Sequence, residues 1–68
     1  MIVNNIEITA TSNDYKGICE IYNKKCFVDG AVFGDILNIE IYKETSKFYC
    51  AKILKIIKKS PFREENVN

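Results

Sequence analysis

The chain has 68 residues, of which 47% are hydrophobic, and its formal net charge is +1. This length predicts one domain, and the hydrophobic content suffices for a compact core and argues against a disordered chain. The sequence contains no histidine and no run of about 18 apolar residues, which excludes the commonest general base and a membrane-spanning helix.

Five segments alternate apolar and polar side chains, and each is predicted to be a strand. In chain order they are residues 2–11, 17–22, 25–29, 36–42 and 47–59. A tight turn at Asn23-Lys24 joins the second and third segments in a hairpin, since asparagine tolerates positive φ. Gly30 and Gly34 can adopt backbone angles closed to other residues, so they predict a bend, with Asp35 capping or bonding that turn.

The fifth segment contains an ambiguous stretch, KILKIIKK at residues 52–59, whose lysine spacing also suits an amphipathic helix. Eight residues are too few for a stable isolated helix, and the isoleucines favour a strand. The apolar positions change parity between Ile53 and Ile56, which predicts a β-bulge. Ser60-Pro61 ends the strand because proline has no N–H to donate.

These strands predict an all-β chain that folds as a small five-stranded antiparallel barrel over residues 1–61, followed by a polar tail or linker at 62–68. The expected core consists of the inward side chains Ile6, Ile8, Cys19, Ile21, Val28, Leu37, Ile39, Ile41, Ala51 and Ile53. The spacing of Cys19, Cys26 and Cys50 matches no metal-ligand pattern. We expect these cysteines to be small apolar fillers in or near the core of a protein in the reducing cytoplasm.

Basic charge is concentrated in one stretch of the chain. Residues 1–42 hold three lysines against six acids, whereas residues 43–63 hold seven basic residues against one acid. Such a stretch attracts a polyanion partner. The sequence leaves open a second explanation, that these lysines are a solvated edge strand that resists aggregation.

A set of short motifs then points to a family. They are Gly17-Ile18-Cys19, Phe27-Val28, Gly30, Gly34, Asp35, Tyr49, Ala51 and Ser60-Pro61-Phe62-Arg63. In their order and spacing they resemble the TRAM domain, and most closely the version at the N-terminus of RNA uracil-5 methyltransferases. The resemblance covers residues 6–65, which is nearly the whole chain.

The resemblance implies an OB-like barrel that binds rRNA or tRNA and presents it to a catalytic domain of the same polypeptide. That domain uses S-adenosylmethionine, and many such enzymes also carry an iron–sulfur cluster. Neither part is present in this sequence, so we expect the chain itself to be non-catalytic and to hold no cofactor or metal. Two alternatives are a free-standing TRAM-type RNA-binding or chaperone protein, and a protein-interaction barrel that docks through Leu54 and Ile56.

Seven residues are predicted to contact RNA: Lys24, Lys25, Phe27, Lys47, Lys58, Lys59 and Arg63. Phe27 would stack an unpaired base, or else pack over a barrel end. Phe48 and Tyr22 are weaker candidates of the same kind, favoured as structural residues. We expect Lys47 to join the first two lysines if the second hairpin folds toward the first. Lys58, Lys59 and Arg63 form a C-terminal cluster that would hold the RNA backbone.

Overall fold

The computed structural model describes residues 1–62, which form six β-strands and contain no helix, hence none that could cross a bilayer. The strands are β1 (Ile2–Glu7), β2 (Ala10–Thr11), β3 (Lys16–Ile21), β4 (Lys24–Asp29), β5 (Ile36–Glu44) and β6 (Phe48–Lys58). The all-β prediction is confirmed, with one strand more than expected because the first predicted strand is divided at residues 8–9. Except for Phe62, the predicted tail lies outside the described residues.

The strands form one curled sheet, a half-barrel, in the order β1-β5-β6-β4-β3-β2. Its two end strands, β1 and β2, are consecutive in the chain, so residues 8–9 connect the two edges of the sheet. The Ile8 N–H donates to the carbonyl of Asp35 at 2.9 Å, and the Thr9 N–H donates to the carbonyl of Ile18 at 2.9 Å. One N-terminal segment therefore forms both edges of the sheet, and its hydrogen bonds on either side hold the sheet in a curled shape.

One pair of neighbouring strands is parallel. β4 and β6 run in the same direction, with Lys25 opposite Phe48 and Asp29 opposite Lys52, whereas the other four pairs are antiparallel. The prediction of an entirely antiparallel barrel is wrong at this pair. Residues 30–35 lead from β4 to β5, which runs antiparallel to β4 at a distance of two strand positions. β6 lies between them, and because it is antiparallel to β5 it is parallel to β4.

The connections have the backbone angles that the sequence suggested. The β3–β4 turn consists of Tyr22 and Asn23, with φ of 52° and 64°, one residue earlier than predicted. Positive φ at both centres is the type I′ geometry that suits the twist of a hairpin. Gly30 and Gly34 have φ of 80° and 95°, which confirms the predicted bend.

The ambiguous stretch is a strand, and β6 carries the predicted bulge. Ile39 lies opposite Ile53 and Asn38 lies opposite Lys55, so Leu54 is the extra residue. Ile56 consequently returns to the inner face and packs against the core. The change of parity in the sequence thus marks a real irregularity of the ladder.

The core is formed by the inner face of the curled sheet. It consists of Ile8, Cys19, Ile21, Cys26, Val28, Ala31, Leu37, Ile39, Tyr49 and Ala51. Ile6, Ile41 and Ile53, which were predicted to be buried, are half-buried and pack against this core. Cys19 and Cys26 are buried in the core, which confirms the expectation that they are apolar fillers, whereas Cys50 is half-buried on the opposite face of β6 from the buried Tyr49 and Ala51.

A buried carboxylate connects the bend before β5 to the end of β6. Asp35 is 0% exposed, and it accepts hydrogen bonds from the N–H groups of Val32 at 3.0 Å and Ser60 at 2.8 Å. The Ser60 hydroxyl donates to the carbonyl of Phe33. A Cβ at Gly34 would lie 2.9 Å from the Ser60 Oγ, so both this contact and its positive φ require glycine. The predicted bonding of the turn by Asp35 is confirmed.

Asp35→Ala is expected to lower the free energy of unfolding by about 2–5 kcal/mol, because two N–H groups lose their acceptor in a site that excludes water. Urea unfolding followed by circular dichroism measures this loss. Asp14→Ala removes an exposed carboxylate and should change stability by less than about 0.5 kcal/mol. Equal stability of the two variants would show that the fold does not need the Asp35 carboxylate.

Candidate nucleic-acid interface

Two aromatic rings are in contact on the outer face of β4 and β6. Phe27 alternates with the buried Cys26 and Val28, so it points away from the core. Its ring centroid lies 5.5 Å from that of Phe48, and the ring planes meet at 80°, which is an edge-to-face pair. Both rings are half-buried, so part of their surface remains open on the outside of the sheet.

A groove of about 340 Å³ lies beside these rings. It is lined by Ser12, Asp14, Lys16, Phe27, Lys43, Phe48 and Cys50. Lys16 begins β3, Phe27 is on β4, and Lys43 lies on β5 opposite Cys50 of β6, so side chains from four strands and the β2–β3 loop meet here. We call this the aromatic groove. Its apolar floor and cationic rim suit a planar ring attached to an anion.

Positive charge near the aromatic groove is only partly neutralised. Among residues 1–62, Lys25, Lys43 and Lys47 form no ion pair. Lys25 lies opposite Phe48, and Lys47 immediately precedes that residue, so the β5–β6 hairpin folds toward the β3–β4 hairpin. The prediction that Lys47 lies with Lys24 and Lys25 required the two hairpins to fold in this way.

Lys24 has a structural role in this arrangement. Its Nζ donates to Glu44 Oε2 at 3.1 Å and to the Thr45 carbonyl at 2.9 Å, and it lies 4.6 Å from the centroid of the Tyr49 ring. The side chain is only 23% exposed. The Lys24 ammonium is therefore occupied by protein groups, whereas the neighbouring Lys25 is exposed on the outer face.

The predicted C-terminal cluster lies away from the aromatic groove. Lys58 is at the opposite end of β6 from Phe48, which at about 3.3 Å per residue is a distance of roughly 30 Å. Lys58 and Lys59 are both exposed, and Arg63 lies outside the described residues. The structure thus separates the predicted RNA-contacting residues into two groups.

Tyr42 adds a third aromatic ring to the outer face. Its hydroxyl donates to Asp29 Oδ2 at 2.9 Å, although Tyr42 is on β5 and Asp29 is on β4. Since β6 lies between those strands, the ring must extend over β6. The hydrogen bond to the Asp29 carboxylate raises the pKa of Tyr42, because it favours the neutral phenol.

Sequence reasoning did not assign Lys16, Lys43 or Tyr42 to the site, and it ranked Phe48 low. Alternation along each strand identifies which side chains point outward, but the lateral order of strands decides which of them become neighbours. For the docking alternative, Ile56 is half-buried against the core. The apolar side chains exposed on that part of β6 are Leu54 and Ile57, at 46% and 45%.

Most of this chain is similar in sequence to part of a known protein. The 23S rRNA (uracil(1939)-C(5))-methyltransferase RlmD of Psychromonas ingrahamii is 34% identical to the chain over 62 residues. The matched region is 91% of this chain but 14% of that enzyme, so the chain spans a small part of its relative's length. No family model matches the chain. The similarity relates this small sheet to one segment of an rRNA methyltransferase.

Native protein is expected to take up one equivalent of iodoacetamide, at Cys50. Cys50 lines the aromatic groove, whereas Cys19 and Cys26 are 3% and 0% exposed in the core. The hydrogen bond of Cys26 to Cys19, together with burial, raises the pKa of Cys26 and keeps it as the unreactive thiol. Peptide mass spectrometry locates the adduct, and labelling in urea, where all three cysteines should react, is the control. Native labelling of Cys19 as fast as Cys50 would contradict the assignment.

Proposed function

We propose that this chain is a TRAM-type, OB-like RNA-binding barrel that serves an RNA (uracil-5-)-methyltransferase as an accessory domain. The observation that carries the proposal is the 34% identity to a 62-residue segment of an rRNA uracil methyltransferase. Strand order supports the OB-like label. If β1 and β2 are counted together as strand 1, and β3 to β6 as strands 2 to 5, the order around the sheet is 1-2-3-5-4-1. OB folds bind oligonucleotides on the face of their second and third strands.

The aromatic groove lies on that face and offers two kinds of contact to RNA. Phe27 and Phe48 stack an unpaired base, an interaction worth about 1–3 kcal/mol per base. Lys25, Lys43 and Lys47 contact phosphates and release their counterions. Stacking fixes the position of the strand, while the lysines supply affinity that does not depend on sequence.

The C-terminal cluster would extend this contact along the molecule. Lys58 and Lys59 lie at the far end of β6 and Arg63 follows them in the sequence, and a strand of RNA that crosses the outer face would pass from the aromatic groove toward that end of β6. We propose rRNA or tRNA as the ligand, bound in the cytoplasm. In this proposal, methyl transfer, S-adenosylmethionine and any iron–sulfur cluster belong to a catalytic domain of the same polypeptide.

A protein-interaction barrel is the second candidate, and the exposure of Leu54 and Ile57 on β6 favours it. Apolar docking through these side chains would place the chain against a neighbouring domain. Salt distinguishes the two functions, because phosphate contacts weaken steeply as salt rises and apolar docking does not.

Two triple variants that each remove three positive charges locate the phosphate contacts. Lys25→Ala/Lys43→Ala/Lys47→Ala should weaken binding to a 12-nucleotide single-stranded RNA and reduce the salt slope by roughly 2, at roughly 0.7 per lost contact. The matched variant is Lys58→Ala/Lys59→Ala/Arg63→Ala. Fluorescence anisotropy at several salt concentrations gives affinity and slope for both variants and the wild type.

If only the second triple lowers the slope, the C-terminal cluster holds the RNA backbone and Lys25, Lys43 and Lys47 do not. If both triples lower it, the RNA spans the two groups. If the wild type fails to bind RNA at low salt, the proposed function is wrong.

The isolated chain is expected neither to bind S-adenosylmethionine nor to methylate RNA. The aromatic groove is lined by lysine and phenylalanine side chains, with one serine, one acid and one half-buried thiol, and the sequence has no histidine to act as a base. Isothermal titration with S-adenosylmethionine tests this, with the RNA titration as a positive control for folded protein. Measurable heat of cofactor binding would overturn the accessory role.

A further inference from the structure

Tyr42 is held over the outer face by a β-bulge. Ile41 lies opposite Ala51 and Lys43 lies opposite Cys50, so Tyr42 is an extra residue in β5. Ile41 packs against the core, while the Tyr42 hydroxyl reaches Asp29 and Lys43 lines the aromatic groove. Regular alternation would send two successive side chains to opposite faces. The bulge instead brings Tyr42 and Lys43 to the same face.

A hydrogen bond of the Tyr42 hydroxyl fixes the orientation of the ring. Its hydroxyl donates to Asp29 Oδ2 at 2.9 Å, and the other carboxylate oxygen lies 3.7 Å from Lys16 Nζ. Tyr42 is nevertheless 53% exposed, so the ring is tethered without being covered. A tether of this kind reduces the ordering cost that a ligand would otherwise meet on binding. Asp29 is thus a positioning residue for the ring.

The tethered ring lies next to the aromatic groove. Tyr42 immediately precedes Lys43 of the groove, and its hydroxyl reaches Asp29, which is two residues from Phe27 on β4. The outer face therefore presents two aromatic surfaces in succession, the pair Phe27 and Phe48 and then Tyr42. Lys43 adjoins both surfaces, since it follows Tyr42 in the chain and lines the groove together with Phe27 and Phe48.

We propose that Tyr42 is a second base-stacking surface, so that this face binds two successive unpaired nucleotides. One base stacks at Phe27 and Phe48, the next stacks on Tyr42, and Lys43 contacts the phosphate between them. This inference rests on the proposed RNA-binding function and names the form of RNA that the site takes. Bases reach flat protein rings only when they are splayed out of a helix, so the ligand is single-stranded.

The test compares variants in binding to fluorescein-labelled hexauridylate, followed by anisotropy. Tyr42→Ala should weaken binding about fivefold or more, which corresponds to the loss of one stacked base. Tyr42→Phe keeps the ring and should stay within about threefold of the wild type. Tyr22→Ala is the matched control, since it removes another exposed tyrosine ring, at the β3–β4 turn, and should change nothing. Urea unfolding of each variant confirms equal folding.

A second comparison separates the two stacking surfaces. The fold-losses of Phe27→Ala and Tyr42→Ala should multiply in the double variant, because each ring holds its own base. A blunt RNA duplex of the same length should bind more weakly than hexauridylate and be insensitive to Tyr42→Ala.

The possible results distinguish failure of the second stacking surface from failure of the proposed RNA-binding function. If the wild type binds hexauridylate but Tyr42→Ala binds equally well, the second stacking surface is refuted and the proposed function stands. Tyr42→Phe as weak as Tyr42→Ala would refute stacking in favour of a role for the hydroxyl. If the wild type binds neither single-stranded nor duplex RNA, the proposed function itself fails.

Discussion

Asp35 holds together three parts of the chain that are distant in sequence. Its carboxylate accepts the N–H groups of Val32 and Ser60, and its carbonyl accepts the N–H of Ile8. A buried charge is tolerated only where hydrogen bonds replace its lost hydration. The bend before β5, the end of β6 and the crossing of the N-terminal segment must therefore form together for any of them to be stable.

The outer face is a product of that same arrangement. Because the bend carries the chain past β4, β6 can return beside β4, and Phe48 comes to lie against Phe27. The same return places Cys50 opposite Lys43 and leaves β6 under the Tyr42 ring. The geometry that closes the core on the inside thus assembles the aromatic surfaces on the outside.

Local patterns were sufficient for the parts of the molecule that depend on a single strand or turn. Alternation identified Val28 and Leu37 as core, and glycine chemistry predicted the bend at Gly34. Local patterns were insufficient to predict contacts between strands that are distant in the chain. Nothing in the periodicity of β4 indicates that Lys24 would lie over the Tyr49 ring, because strand order, parallel pairing and bulges depend on the packing of the whole sheet.

The N-terminal segment has a consequence for the order of folding. The β3–β4 and β2–β3 hairpins close through short connections, at residues 22–23 and 12–15, whereas Ile2 must find the distant Glu40. Loop-closure entropy delays contacts between distant residues, so hairpins precede the joining of the sheet edges. During synthesis β1 emerges before the other five strands but would be among the last to acquire its neighbour, β5. Its exposed apolar residues then have to remain soluble until β5 has emerged.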